Sequence, residues 1–199
     1  MKESYLSRDF RETAAQRFPA QAKQLNAAFD ARLNGLLAEN ADASKGKLYH
    51  LKRQILPGIA AYETLQTVMP KEEALQTVHG YVEQLARTSH RKLADLLRVP
   101  GLYRLVPGVF LKSTRSVFGP AAGFAAKELQ VGNGIWRVDM TKCPYHDTCA
   151  EYGCPELCRC FCDSDDITYD GLHPKLVWHR TKTLGRGDDR CDFCMKIIK

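Results

Sequence analysis

The sequence predicts an α+β fold: an N-terminal helical bundle packed on a small, mostly antiparallel sheet that carries a Cys-rich helix. Two observations predict it. Apolar residues recur at helical spacing through the first 130 residues, and alternation of period two replaces that spacing after Gly134. A third feature marks the second half. "CPYHDTCAEYGCPELCRCFC", residues 143–162, holds six of the eight cysteines, and none precedes it.

Phe10, Ala14 and Phe18 lie four residues apart, and Pro19 ends that helix. Leu25, Phe29, Leu33, Leu36 and Leu37 form the buried stripe of a second. "ADASKGK" is a polar break with Ser44 as a capping residue. A third pattern runs from Leu48 to about Met69, with a kink or restart expected at Pro57-Gly58. Pro70 opens a long helix to about Arg98 with a stripe of Leu75, Val78, Val82, Leu85, Leu93, Leu96 and Leu97. The proline-rich segment 99–124 reads as a lid over an apolar pocket, with a membrane-surface helix as the alternative.

"IWRVDM" alternates as a half-buried strand, and Pro155-Glu156 opens a short helix. "KLVWHRTKTL" and "RCDFCMKIIK" are β-rich runs around the turn "GRGDDR". The organisation expected is a helical region, 1–130, and a Cys-rich α+β region, 131–199, in one integrated domain.

The chain of 199 residues is 44% hydrophobic and 26% charged, the make-up of an ordinary globular protein. No apolar run is long enough to span a membrane, and the N-terminus lacks the apolar core of a signal peptide. A cytoplasmic location is therefore expected, with the cysteines reduced. Residues 1–130 hold 19 Lys and Arg against 12 Asp and Glu, but these intersperse along helix faces, so nucleic-acid binding is not expected. A small-molecule substrate is, and a homo-oligomer is left open.

The cysteine gaps do not form paired zinc knuckles, and no metal is expected. Cys191 and Cys194 are three apart, so a strand would point their sulfurs to opposite faces. On a helix from Pro155, Cys158 and Cys162 share a face, Cys160 turns away, and Asp165 or Asp166 lies a turn beyond Cys162. His146 could reach the same place from a loop. A cysteine activated by such neighbours is a competent nucleophile. Cys149, Cys154 and Cys160 are expected to be core filler.

"CPYH", "CPELCRCFC" with trailing aspartates, "GLHPKLVWHRTKTL" and "GDDRCDF" together resemble the L-2-amino-thiazoline-4-carboxylic acid hydrolase family from about Trp136 to the C-terminus. The motif positions are Cys143-Pro144-Tyr145, Glu156-Leu157, Phe161-Cys162, Asp165 or Asp166, Thr183-Leu184, Gly187 and Cys191-Asp192-Phe193. Cysteines 149, 154, 160 and 194 lie outside them. The C-terminal half is also similar to ligand-binding domains of the 4-vinyl reductase type. The resemblance implies opening of a thiazoline or related cyclic amidine to an N-carbamoyl cysteine-like product. Cys162 or Cys143 is then the nucleophile or polarises water, with Cys191 beside them. Asp166, or Asp165 in its stead, holds the amidine nitrogen, and His146 shuttles a proton. Arg137 or Arg180 binds a substrate carboxylate, with Tyr145 and Glu156 as further substrate contacts. No cofactor is required. If zinc were bound, Cys143, Cys162 and Cys191 would hold it. A non-catalytic small-molecule sensor is the rival reading.

Overall fold

The computed structural model describes residues 3–198. Five helices build the first layer: α1 (Tyr5–Arg17), α2 (Ala22–Glu39), α3 (Lys45–His50), α4 (Leu56–Leu65) and α5 (Lys71–Leu97). Their stripes meet as expected. Leu6, Phe10, Phe29, Leu36, Leu51, Ile55, Ile59 and Leu65 are fully buried together, and Phe10 stacks on Phe29 at 4.4 Å. Ser44 caps α3, its hydroxyl accepting the Lys47 N–H at 3.2 Å. The break expected at Pro57 takes the form of wider, π-type turns over Leu51–Ile55, where the Leu56 N–H reaches back to the Leu51 carbonyl. Pro57 has no N–H for a regular turn, so the chain widens just before it.

The second layer is a four-stranded antiparallel sheet of β1 (Ala125–Gly132), β2 (Ile135–Lys142), β3 (Leu176–His179) and β4 (Cys191–Ile197) in the order β1-β2-β4-β3. Its inner face carries Trp136, Val138, Trp178 and Met195 against Leu97, Tyr103 and Leu172. α6 (Val106–Arg115), inside the proline-rich segment, lies on that face: Phe110 packs on Trp136 at 4.9 Å, and Thr114 accepts the buried indole N–H of Trp136 at 3.0 Å.

Two elements escape the sequence reading. β1 is exposed along almost its whole length, an edge strand without a buried face to impose alternation, and it begins before the composition shift at residue 131. Its signal was the turn: Asn133 and Gly134 both have positive φ, 50° and 77°, as a two-residue hairpin requires. The second is α7 (Pro144–Glu151), where a loop was expected; Pro144 sits in its first turn. α8 (Cys158–Tyr169) follows a single 3-10 turn at Pro155–Leu157 and packs along α5. Among the described residues no helix is long and apolar enough to cross a membrane.

Candidate functional site

The cysteine run divides between core and site. Cys149, Cys154 and Cys160 are buried in the helical core, as expected of filler. Cys158 and Cys162, one turn apart on α8, face the same way with their sulfurs 3.8 Å apart. Cys143 ends β2 and caps α7, and it packs with Cys191 of β4 against Met140 and Phe124. The site thus lies where helical layer, sheet and α7 meet. Cys191 belongs to the inner face of β4 and Cys194 to the outer, where Cys194 lines an open groove with Arg137, His179 and Lys196.

The alternation of β4 explains the Cys-Asp-Phe motif. Cys191 points inward and receives the Leu184 N–H at 3.3 Å. Asp192 points outward and accepts the backbone N–H groups of Thr181, at 2.8 Å, and Lys182, at 2.6 Å. Phe193 points inward again, with the Arg180 guanidinium 5.4 Å from its ring centre. Asp188 accepts the Thr183 N–H at 2.7 Å. The loop between β3 and β4 is therefore pinned from both sides and presents consecutive amides, Leu184 to Cys191 and Gly185 to Cys162. Glycine is required at 185 by proximity: a Cβ there would lie 2.8 Å from the Cys162 sulfur and 3.1 Å from that of Cys158. Gly185 was not among the predicted residues, although it directly follows the Thr-Leu pair that was.

Arg180 organises the carboxylates. Its side chain is only 2% exposed; it pairs with Asp166, lies 3.5 Å from Asp165 and donates to the Cys162 carbonyl at 2.9 Å. Asp166 also accepts the Trp178 indole N–H at 2.8 Å. Both Asp166 oxygens are engaged by protein groups, whereas Asp165 keeps only the long contact. The two side chains are about equally exposed, at 39% and 40%, so their protein partners are what distinguish them. Arg180 itself is consumed by these contacts and does not present its guanidinium to a substrate carboxylate.

The electrostatics separate the thiols. Cys162 is held below the ordinary thiol range, first by its hydrogen bond with Cys158 and then by Arg180 and the Gly185 N–H, against the opposing effects of burial and Asp165. Cys158 moves up in consequence, as the partner that keeps its proton. Burial pushes Cys191 up to about 12 and raises Cys143 as well, although the Tyr145 and His146 amides face the Cys143 thiol. Cys162 is therefore the thiol of the group that is shifted toward ionisation. Asp165 rises to about 7, first through burial and then through Asp166, with Arg180 opposing. Its side chain nevertheless remains 39% accessible. The Asp165 charge acts on Tyr145, Tyr169, Cys162 and Cys191, which makes these groups one electrostatic cluster.

Tyr145 feels the charges of Cys143 and Asp165 and flanks this cluster. Its hydroxyl lies 3.1 Å from Gln54, on the π-type turns, and 3.2 Å from Nδ1 of His50. Nε2 of His50 donates to the Val117 carbonyl at 2.8 Å, which leaves Nδ1 as an acceptor. Burial lowers the His50 pKa and keeps the ring neutral. His50 and Gln54 were absent from the sequence reading, since nothing local ties them to a tyrosine some ninety residues on.

Three predicted site residues stand elsewhere. The His146 ring, half-exposed on α7, faces Asp147 at 3.3 Å, and its backbone N–H serves Cys143. Arg137 is on the outer face of β2, opposite Cys194, because it is out of phase with the inward Trp136. Glu156 accepts from the Tyr62 hydroxyl at 2.7 Å and pairs with Lys71 at 2.8 Å, tying the start of the Cys helix to α4 and α5. Among the described residues no group of three or more His, Cys, Asp or Glu side chains is arranged to hold a metal ion.

The model of the L-2-amino-thiazoline-4-carboxylic acid hydrolase family matches residues 49–195. The chain belongs to that family. The match takes in His50 and Gln54 as well as every cysteine and carboxylate of the cluster, so helices α4 and α5 are part of the family unit rather than an appendage to it. No curated protein and no solved structure is significantly similar to the chain.

Asp165 sets a stability signature for the site. A carboxyl with a folded-state pKa near 7 binds its proton more tightly than in the unfolded chain, where the ordinary value is 3.8. Its contribution is complete below about pH 4 and is lost as pH rises through about 7. Relative to Asp165→Asn, the wild-type melting temperature should therefore fall between pH 4.5 and pH 7.5. Parallel melting curves across that range check it; a constant difference refutes the assignment.

Proposed function

We propose that the protein hydrolyses a thiazoline or related cyclic amidine ring through a covalent adduct on Cys162. The observation that carries this reading is the convergence of a Cys162 thiol shifted toward ionisation, its Cys158 partner and an Asp165 carboxyl titrating near neutrality in one cluster. Membership of a family named for a thiazoline hydrolase supports the substrate class.

The chemistry follows from the roles. The Cys162 sulfur attacks the ring carbon between nitrogen and sulfur, forming a C–S bond and a tetrahedral adduct. Asp165 in its protonated form gives a proton to the substrate, which offsets the charge change as the adduct collapses. The ring C–S bond breaks, the substrate sulfur leaves as a thiol, and an isothiourea-type conjugate remains on Cys162. Asp165, now ionised, takes a proton from water as it attacks the same carbon. Expulsion of the Cys162 thiolate then yields a urea, the N-carbamoyl product, and restores the enzyme. The Cys158 S–H and the Gly185 N–H stabilise the thiolate at both ends of the cycle. Arg180 and Trp178 hold Asp166 and the α8 backbone in place, and Tyr145 flanks the cluster.

The test is turnover of L-2-amino-thiazoline-4-carboxylate at catalytic enzyme concentration, following free thiol and N-carbamoyl cysteine. Many product equivalents per chain are expected. Stoichiometric binding with no product beyond one equivalent would move the protein to the sensor reading.

A further inference from the structure

The corner between α5 and α6 is apolar on both sides. Its inner side, Leu97, Tyr103, Phe110 and Leu111, packs on the sheet. Its outer side leaves Leu96 (54% exposed), Val99 (53%), Leu105 (61%) and Val109 (58%) in solvent. Leu96 and Val99 are one turn apart at the end of α5. Leu105 and Val109 are one turn apart at the start of α6, and a tight turn at Gly101, φ 82°, joins the pairs. Four unpaired large aliphatic residues within one corner are more than the scattered apolar exposure of an ordinary surface.

The charge around the corner is one-sided. Residues 91–115 contain Arg91, Lys92, Arg98, Arg104, Lys112 and Arg115 against a single carboxylate, Asp95. Arg115 is neutralised by Glu128 at 2.6 Å and Arg98 lies 3.4 Å from Asp95. Among the described residues, Arg91, Lys92, Arg104 and Lys112 have no carboxylate partner. Lys112 continues the exposed face of Leu105 and Val109 along α6, while Thr114 and Phe110 turn inward.

From this we infer that the α5–α6 corner docks the protein on an anionic lipid surface. The aliphatic side chains enter the headgroup boundary and the rim of cations meets the lipid phosphates and carboxylates. A second copy of the chain is a poorer occupant. A two-fold interface on this patch would set the same cations against one another. No helix of the described chain spans a bilayer, so the association is peripheral and reversible.

The experiment is vesicle co-sedimentation of the full chain with phosphatidylcholine alone and with phosphatidylcholine containing phosphatidylglycerol, at 0.1 M and 0.5 M NaCl. Binding is expected only to the anionic vesicles and is weakened by the higher salt. Leu105→Ser with Val109→Ser should weaken it about tenfold or more, and so should Arg104→Gln with Lys112→Gln. Lys23→Gln, on exposed α2, should leave it unchanged. All of these positions are exposed, so the melting temperature is expected to stay at the wild-type value. The inference is overturned by absence of binding to anionic vesicles, by binding indifferent to both double variants, or by a concentration-dependent dimer that the same variants abolish.

Discussion

Cys162→Ser is expected to lower kcat/KM for a thiazoline substrate by about a thousandfold or more, with circular dichroism and melting close to wild type. Serine fits the space, which Gly185 leaves open beside the sulfur. What it lacks is a form ionised at neutral pH, so the hydrogen bond from Cys158 and the field of Arg180 have no thiolate to stabilise. Cys160→Ser is the control from the same helix. Cys160 lies 3% exposed in the helical core, and a hydroxyl there costs about 1–3 kcal/mol of stability. Activity measured below the melting transition should survive. If Cys162→Ser retains near wild-type activity, or both variants lose it equally, the nucleophile is misassigned and Cys143 and Cys191 are the next thiols to test.

Arg180→Gln should have the largest effect on stability. The guanidinium is almost wholly enclosed and engages Asp166, the nearby Asp165 and the Cys162 carbonyl, so its removal strands both carboxylates without a cation. Breaking such a pair from one side costs on the order of 3 kcal/mol, discounted here because both aspartates keep some solvent access. For a chain of this length that lowers Tm by roughly 6–12 °C. The same variant should slow alkylation of Cys162 at pH 7, since the thiol loses one of the groups that lower its pKa. Thermal melts together with the pH profile of iodoacetamide labelling measure both. A stable variant with an unchanged labelling profile would show that Arg180 neither holds the carboxylates nor tunes the thiol.

Local spacing carried much of the site. Residues four apart on a helix must meet, so Cys158 and Cys162 were readable as a pair and Cys160 as their opposite. Strand alternation separated Cys191 from Cys194 in the same way. It also held an unused signal: Arg180 is in phase with Trp178 and faces in, whereas Arg137 is out of phase with Trp136 and faces out. The two arginines were distinguishable once the tryptophans were taken as core. β1 was not legible from its residues because an exposed edge strand needs no apolar face, and only its Asn-Gly turn announced it.

The sequence by itself determined the class of the fold, the helical layer before the sheet, the cysteines that share a face and the family. Each depends on periodicity or on motifs a few residues long. Tertiary structure decided which groups engage each aspartate, which neighbours act on each thiol and what packs around them. Trp178 and Arg180 occupy Asp166 from another strand, Gly185 reaches Cys162 from a loop pinned by Asp188 and Asp192, and His50 with Gln54 holds Tyr145 from the far end of the chain. Burial and hydrogen bonds across such separations set protonation, and no pattern of neighbours along the chain encodes them.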